Sequence, residues 1–416
     1  MGTRTALALL LVVALACRLG VVAATPNYRL PPPGYDPPAY DSIAASIART
    51  GAFPTVGGHP SATFPPAYPY FLGGLYAISG AAAPDRWEVA RIAQALLGTV
   101  AVALIGLIAW QLWGRRASFA ALGLAAVYPP LIIVGATLLT EALFVPLELG
   151  AVAAALQYRR SPQRLRWALL AGVLAGLAAL TRVNVLLMLP PLLLAVWPSP
   201  RRSARSAVPV VGLLLAGAVT VSPWMIRNAV ELHAFIPLAT QGAGLAGIFN
   251  DTSRTTSNHR AAFRPPQQDP HDAALLARSA HLGEVALYHR LVGDARRYAL
   301  HHPGYVVEVG VLNTLRLLHL YDRGYARATA RDIGIPGRLA DIGRWSFYPV
   351  ALLALAGAFT AAARRTPLWF WLMPVLLMGT VFIGGFPRFR APVDPFIVML
   401  AALALASGWR RLRAAT

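Results

Sequence analysis

Two carboxylates and two phenols fall together in Tyr35-Asp36-Pro37-Pro38-Ala39-Tyr40-Asp41-Ser42-Ile43-Ala44, just after the first apolar run. A carboxylate in such a place can take a proton from a hydroxyl, and phenols can orient that hydroxyl by hydrogen bonding. Further along, Glu141 and Glu148 stand seven residues apart, so they share roughly one helical face. An acid inside an apolar run normally faces a bundle interior or a wet cavity. Glu141, near the end of its run, is therefore a candidate for an outward-facing polar site, the alternatives being a helix-terminal acid or one paired with Arg. Glu148, nearer the middle, is expected to pair with a buried partner. Arg388 and Arg390 crowd the short turn 384–392, while Arg182 and Arg227 lie at the ends of apolar runs. A guanidinium fork fits phosphate oxygens and stays charged; contact with lipid headgroups, or pairing with Asp394, are the alternatives for the pair in the turn. The chemistry that suits these groups is a transfer, in which a carboxylate deprotonates an acceptor hydroxyl and arginines stabilise a departing phosphate.

The elements that must hold these residues are membrane helices. The 416 residues are 56% hydrophobic and only 13% charged, with a mean hydropathy of +0.54, against roughly a quarter charged for a soluble protein. Apolar runs at 5–23, 89–111, 117–135, 138–157, 166–182, 184–198, 206–224, 344–362, 367–386 and 391–408 predict an all-α polytopic protein with about ten spans. Residues 166–198 are interrupted by Thr181-Arg182-Val183-Asn184 and by Pro190-Pro191, and read either as two short spans or as one span with a re-entrant piece. With ten spans, one set of loops holds Arg4, Arg115, Arg116, Arg159, Arg160, Arg164, Arg166, Arg201, Arg202, Arg205, Arg364, Arg365, Arg410, Arg411 and Arg413 and no acid. That bias assigns these loops and both termini to the cytoplasm, with 24–88 and 225–343 outside the inner (cytoplasmic) membrane. The first run, 5–24, also has features of a secretory signal, but with many spans following it is read as a span left in place.

Three units follow: a membrane module, 1–224, with its first outer loop at 24–88; a soluble or interfacial outer region, 225–343; and C-terminal membrane helices, 344–416. Within the first loop, Tyr40, Ile43, Ala44 and Ile47 predict an amphipathic helix over 39–49 lying on the membrane face. The apolar 70–80 is too short to span. The outer region holds eight of the nine His and ten of the 17 acids, with an irregular 250–275 and amphipathic helices over 276–300 and 305–320, the latter interfacial rather than spanning.

The net charge of +20 is carried entirely by Arg, and 15 of the 37 arginines sit in the short loops just named, so topology explains them without a nucleic acid. The single Cys17 excludes an internal disulfide, and the His residues lack a metal-ligand spacing. No Gly-rich phosphate loop is present, which disfavours a nucleotide-driven pump. The reading therefore requires no cofactor and leaves a divalent metal as a minor alternative.

At this level the sequence resembles the polytopic, polyprenyl-phosphate-dependent glycosyltransferases, which include protein O-mannosyltransferases and the lipid A aminoarabinose transferase. The resemblance rests on Asp36, Tyr40 and Ala44 at fixed spacing, Pro65-Pro66-Ala67-Tyr68-Pro69, Thr140-Glu141-Ala142-Leu143-Phe144, and Gly172-Val173-Leu174-Ala175-Gly176 running to Leu180-Thr181-Arg182. It continues through Pro223-Trp224, Arg227-Asn228, Gly242 and Asn250 to Arg388-Phe389-Arg390-Ala391-Pro392-Val393-Asp394-Pro395. It implies a catalytic aspartate at Asp36, in preference to Asp41. It also implies a lipid-phosphate sugar as donor and a hydroxyl acceptor on lipid, polysaccharide or protein. Within it, Glu141 is a second catalytic candidate, and Tyr40, Tyr68, Arg182, Arg227, Arg388 and Arg390 are substrate-binding candidates. The family often carries an acid directly after the aspartate; here that position is Pro37, which leaves Asp36 a rival role as helix cap. A flippase of lipid-linked sugars and a non-catalytic assembly protein of envelope-glycan synthesis are the competing classes.

Overall fold

The computed structural model describes residues 2–25, 28–56, 58–80, 85–197, 207–278 and 282–415. Arg201, Arg202 and Arg205 of the basic loops fall outside the described residues. In chain order the helices are α1 Thr3–Ala24, α2 Asp36–Thr50, α3 Ala67–Ser79, α4 Asp85–Trp113, α5 Arg115–Val127, α6 Pro129–Ile133, α7 Glu141–Arg160, α8 Arg166–Ala179, α9 Leu189–Val196 and α10 Val208–Glu231. They continue as α11 Asp251–Thr255, α12 Pro270–Arg278, α13 Glu284–His301, α14 Pro303–Leu317, α15 Arg323–Arg331, α16 Gly337–Ala358, α17 Ala361–Arg365, α18 Leu368–Leu377 and α19 Asp394–Ala415. Among the described residues the only strands are Thr55–Val56 and His59–Pro60, paired antiparallel.

The all-helical class is as expected, but the number of long spans is not. Among the described residues four helices are long and apolar enough to cross a membrane: Thr3–Ala24, Arg86–Trp113, Glu141–Arg160 and Val208–Glu231. A fifth is possible if Arg115–Val127 and Pro129–Ala136, bent by 58°, count as one. The runs at 344–362 and 391–408 lie largely in the 22-residue helices α16 and α19, and the remaining ones are shorter helical pieces. Tyr128-Pro129-Pro130 breaks the third run; Arg182, in extended backbone, and the 3₁₀ turn Val183–Met188 interrupt 166–198, where a break was expected; and a 3₁₀ turn at Met378–Phe382 ends α18. Each proline removes a backbone donor and clashes with the preceding turn, so an apolar run need not be one continuous helix. The reverse occurs at Pro223-Trp224, expected at the end of the seventh run. These residues lie inside α10, which continues to Glu231. Trp224 Nε1 donates to Leu238 O at 2.6 Å and Asn228 Nδ2 to Ile236 O at 2.9 Å, which holds the turns beyond the proline.

The exposed faces suit lipid. Val208, Val211, Leu214, Leu215, Val219, Ile226 and Val230 of α10 are exposed, as are Leu7, Leu9 and Val12 of α1. Such contiguous apolar surface would promote aggregation in water and costs nothing in a bilayer. The protein is thus a helical membrane protein. Where helices meet, small residues bring backbones together. A Cβ on Gly357 of α16 would lie 1.9 Å from Leu400 O of α19, and one on Gly172 of α8 would lie 2.2 Å from Leu213 O of α10. Backbone cannot swing aside as a side chain can. Gly357→Ala is therefore expected to destabilise the detergent-solubilised protein by about 1–3 kcal/mol. Gly293→Ala in α13, where a Cβ meets nothing within 4 Å, should gain a few tenths of a kcal/mol, up to about 1, from helix propensity. Thermal unfolding of the two variants checks the contrast.

The segment between α1 and α4 is built against this bundle. The amphipathic helix expected over 39–49 is α2, and the apolar 70–80 becomes α3. Tyr40 packs edge-on to Phe64 and Tyr68, and Ala44, Leu72 and Tyr76 complete the contact between the two helices. Ala67 N donates to Leu180 O at 2.8 Å, tying the start of α3 to the segment just after α8. Within 225–343, α14 is 15 residues long, about 22 Å at 1.5 Å per residue and so short of a bilayer core. The expected irregularity of 250–275 is interrupted by α11, the 3₁₀ turn Pro266–Gln268 and the start of α12.

Candidate functional site

Asp36 is the first residue of α2, preceded by Gly34 in left-handed backbone at φ 104°. The cap residue is Tyr35, which makes no side-chain cap bond. The Asp36 carboxylate instead accepts from Arg388 Nη2, across 352 positions of sequence. The capping role that Pro37 raised is not what this side chain does. Asp36 remains about a third exposed, while the Arg388 side chain is 12% exposed.

Asp41, the competing acid, is fully engaged elsewhere. Its two oxygens accept from Arg86 Nε at 2.9 Å and Nη2 at 2.8 Å, from Trp87 Nε1 at 2.9 Å and from Tyr76 OH at 3.1 Å. Those four donors pin α2 to α3 and α4 and leave the carboxylate no room for an acceptor hydroxyl. Asp41 positions the helix whose first turn carries Asp36.

Glu141 opens α7 and is completely buried. Arg182 Nη1 lies 2.6 Å from Glu141 Oε1 and donates to Thr140 Oγ1 at 2.9 Å, while Thr140 Oγ1 donates to Glu141 Oε2 at 3.2 Å. Arg182 can reach because helix α8 stops at Ala179 and the chain turns extended at Arg182. The guanidiniums of Arg182 and Arg388 lie over the same ring, Phe389, at 5.2 Å and 5.3 Å from its centroid. Two acid–guanidinium pairs thus meet at one aromatic residue. Burial opposes the charge on Arg388, but Asp36 and then Glu141 outweigh it and raise its pKa. Burial first, and the charge of Asp36 second, push the Tyr40 phenol upward as well, so it serves as a neutral hydrogen-bonding group. Tyr68 stands behind Tyr40 and donates to Gln94 Oε1 at 2.6 Å, and Gln94 in turn donates to Thr137 O at 3.0 Å. Tyr68 therefore fixes the wall of the site.

Three residues singled out from the sequence go elsewhere. Arg390 is 2% exposed, donates to Asp394 Oδ1 at 2.7 Å and to Leu317 O at 2.5 Å, and stacks 3.8 Å from the Phe347 ring centroid. It is a packed ion pair on α19, the alternative its spacing to Asp394 already offered. Arg227 donates to Ser61 O at 2.8 Å and lies over Trp224 and Phe53, clamping the segment between α2 and α3 to α10. Glu148 is fully buried, and neither carboxylate oxygen has a hydrogen-bond partner among the described residues, so the pairing expected for it is absent there.

The structure adds residues that the sequence did not mark. Arg388 also lines an open cavity of about 100 Å³ next to the cluster. Its walls are largely apolar, with Ile133, Val134, Ile333 and Phe386, and His319 and Arg344 line it too. The basic, aromatic-flanked stretch Gly343-Arg344-Trp345 was the one available signal, and it reads as the start of a span. Among the described residues no group of three His, Cys, Asp or Glu side chains is placed to hold a metal ion, and Asp36 and Glu141 each face a guanidinium.

Comparison with known proteins bears on the fold. Residues 63–226 match the family described as dolichyl-phosphate-mannose-protein mannosyltransferase. No curated protein matches the chain. The apo oligosaccharyltransferase AglB of Archaeoglobus fulgidus is similar over 99% of this chain and 52% of its own, at 14% identity and a TM-score of 0.59. The same enzyme in complex with an inhibitory peptide and a dolichol-phosphate gives 13% identity, 99% and 51% coverage, and a TM-score of 0.57. ArnT from Cupriavidus metallidurans, bound to undecaprenyl phosphate, covers 98% and 79% at 14% identity and a TM-score of 0.48. The chain spans about half the length of the oligosaccharyltransferase chains it matches. It has the fold of that archaeal oligosaccharyltransferase and, over residues 63–226, is similar in sequence to the mannosyltransferase family.

Proposed function

We propose that the protein transfers a sugar from a polyprenyl-phosphate donor to an acceptor hydroxyl at the outer face of the cytoplasmic membrane, with inversion at the anomeric carbon. The observation that carries this reading is the convergence of Asp36, Arg388, Glu141 and Arg182 around Phe389. Asp36 takes the acceptor proton as the hydroxyl oxygen attacks the anomeric carbon, and the bond from that carbon to the phosphate oxygen breaks. The released lipid phosphate carries the electron pair away, and its charge is met by Arg388 and Arg182. Tyr40 supplies a neutral hydrogen bond beside Asp36, and Glu141 holds Arg182 in position. The donor is itself the activated sugar, so this reading calls on no cofactor.

The sidedness is part of the proposal: a multi-pass protein of about ten passes, some short or broken, with both termini cytoplasmic and 24–88 and 225–343 outside. The arginine-only, acid-free loops support it. The printed ligands of the similar structures, dolichol-phosphate and undecaprenyl phosphate, support the donor class for those proteins and motivate it here. The test is reconstitution of the full chain in liposomes with a short polyprenyl-phosphate sugar and a hydroxyl acceptor. A new glycosidic product is expected; movement of the donor between leaflets without product would replace the transferase reading with a flippase.

A further inference from the structure

Arg388 stands between two anion sites and cannot serve both. Its Nη2 donates to Asp36, yet its Nε is buried and bonds no acceptor among the described residues. Two other residues that line the same cavity, Arg344 and His319, each carry a buried nitrogen, Nε and Nδ1, without a partner among the described residues. Buried donors are nearly always satisfied, so three unsatisfied ones around one cavity mark a seat for an acceptor-rich group. The imidazole of His319 is neutral: burial first, then the charges of Arg390 and Arg344, lower its pKa to about 3. It can therefore donate one hydrogen bond without adding a charge. At the mouth, Arg323 and Arg327 share a single carboxylate, Asp341, at 3.7 Å and 2.6 Å, which leaves excess positive charge there. Apolar walls under a cap of N–H donors suit an amphiphile with an anionic head.

Resting on the transfer reading above, we propose that the Asp36–Arg388 ion pair is a latch that the donor opens. The lipid phosphate, seated by Arg344 and His319, takes over the Arg388 guanidinium, and the Asp36 carboxylate is thereby released as a base. Without donor, the carboxylate stays paired with Arg388 and is not free to take a proton from water or from an acceptor arriving alone. The tail lies along Ile133, Val134, Ile333 and Phe386. No bond other than hydrogen bonds and ion pairs changes in this step.

The latch predicts the sign of a coupling that activity alone would not reveal. If Asp36 and the phosphate compete for Arg388, removing the carboxylate must tighten lipid-phosphate binding. The full chain in zwitterionic nanodiscs is titrated with undecaprenyl phosphate, with undecaprenol, with phosphatidylglycerol and with inorganic phosphate. Undecaprenyl phosphate is expected to bind best. Asp36→Asn should tighten it by at least about fivefold, the lower end of usual coupling energies. Arg344→Gln should weaken it by about tenfold, and the gain from Asp36→Asn should vanish in an Arg388→Gln background. Asp36→Ser provides a second test of the same sign should the Asn variant not fold.

Unchanged or weaker binding on removal of the carboxylate from a folded, monodisperse protein overturns the latch. So does equal binding of inorganic phosphate or phosphatidylglycerol, since the cavity would then not select a tailed phosphate monoester. The two readings fail separately. Sugar transfer by the wild type together with a null effect of Asp36→Asn on affinity removes the latch alone. Tightened binding without any transfer by the wild type keeps the competition for Arg388 and removes the transferase.

Discussion

Asp36→Asn is expected to lower the rate of sugar transfer by about 10²–10⁴-fold, the usual contribution of a positioned general base. That corresponds to roughly 3–5 kcal/mol of barrier. The amide keeps the size of the carboxylate and the first turn of α2, because the helix is held by the four donors on Asp41 and by the packing of Tyr40 and Ala44 on α3. The loss should therefore appear in kcat, with membrane abundance and thermal stability near those of the wild type. Reconstituted transfer assays under saturating donor measure it. Retained activity would remove Asp36 from the chemistry and return it to a structural role at the helix start.

The second large effect concerns the buried pair. Glu141 is fully buried and Arg182 13% exposed on its side chain, so Arg182→Gln leaves a carboxylate in the bundle without its counter-charge. Breaking such a pair typically costs about 3–5 kcal/mol, most of it the penalty of the stranded charge. Removing both charges with Arg182→Gln and Glu141→Gln should restore most of the stability, since the neutral amides can bond each other and Thr140. It should not restore transfer, because the reading needs a guanidinium over Phe389 to meet the leaving phosphate. Thermal unfolding of the single and double variants, set beside their kcat, separates the two roles. Recovery of activity in the double variant would mean that Arg182 serves only to neutralise Glu141.

Much of this arrangement was legible in the sequence because it rests on local chemistry. The composition and blocked apolar runs announced a helical membrane protein, and the spacing of Tyr40, Ile43, Ala44 and Ile47 announced α2. The preference for Asp36 over Asp41 came from resemblance, and the structure shows a physical difference between them: one carboxylate carries four structural donors and the other a single arginine from the far end of the chain. Arg388 and Arg390 looked equivalent two residues apart. They diverge because the 3₁₀ turn Pro387–Arg390 sends one toward α2 and the other down onto Asp394.

What was not legible depends on long-range packing or on backbone continuity. His319 and Arg344 meet Arg388 only because the α14–α15 connection and α16 both pack beside the 384–392 turn, and no local pattern encodes that. The continuity of the apolar runs was illegible for a different reason. Hydropathy measures how apolar a run is, whereas Tyr128-Pro129-Pro130 and Arg182 decide whether that run is one helix. In α10 the opposite happened, and hydrogen bonds from Trp224 and Asn228 carried the helix past a proline that the sequence alone reads as a stop.

The central claim is that Asp36 and Arg388 belong to one site, in which the arginine holds the donor phosphate and the carboxylate faces the sugar. An experimental structure of the full chain in a lipid nanodisc with a non-hydrolysable polyprenyl-phosphate sugar tests it most directly. The expected density places phosphate oxygens within hydrogen-bond distance of Arg388 and Arg344, the Asp36 carboxylate turned away from Arg388 toward the anomeric carbon, and the lipid tail along Ile133 and Phe386. Phosphate density beside Arg227 or Arg390, with Asp36 still bonded to Arg388, would contradict it.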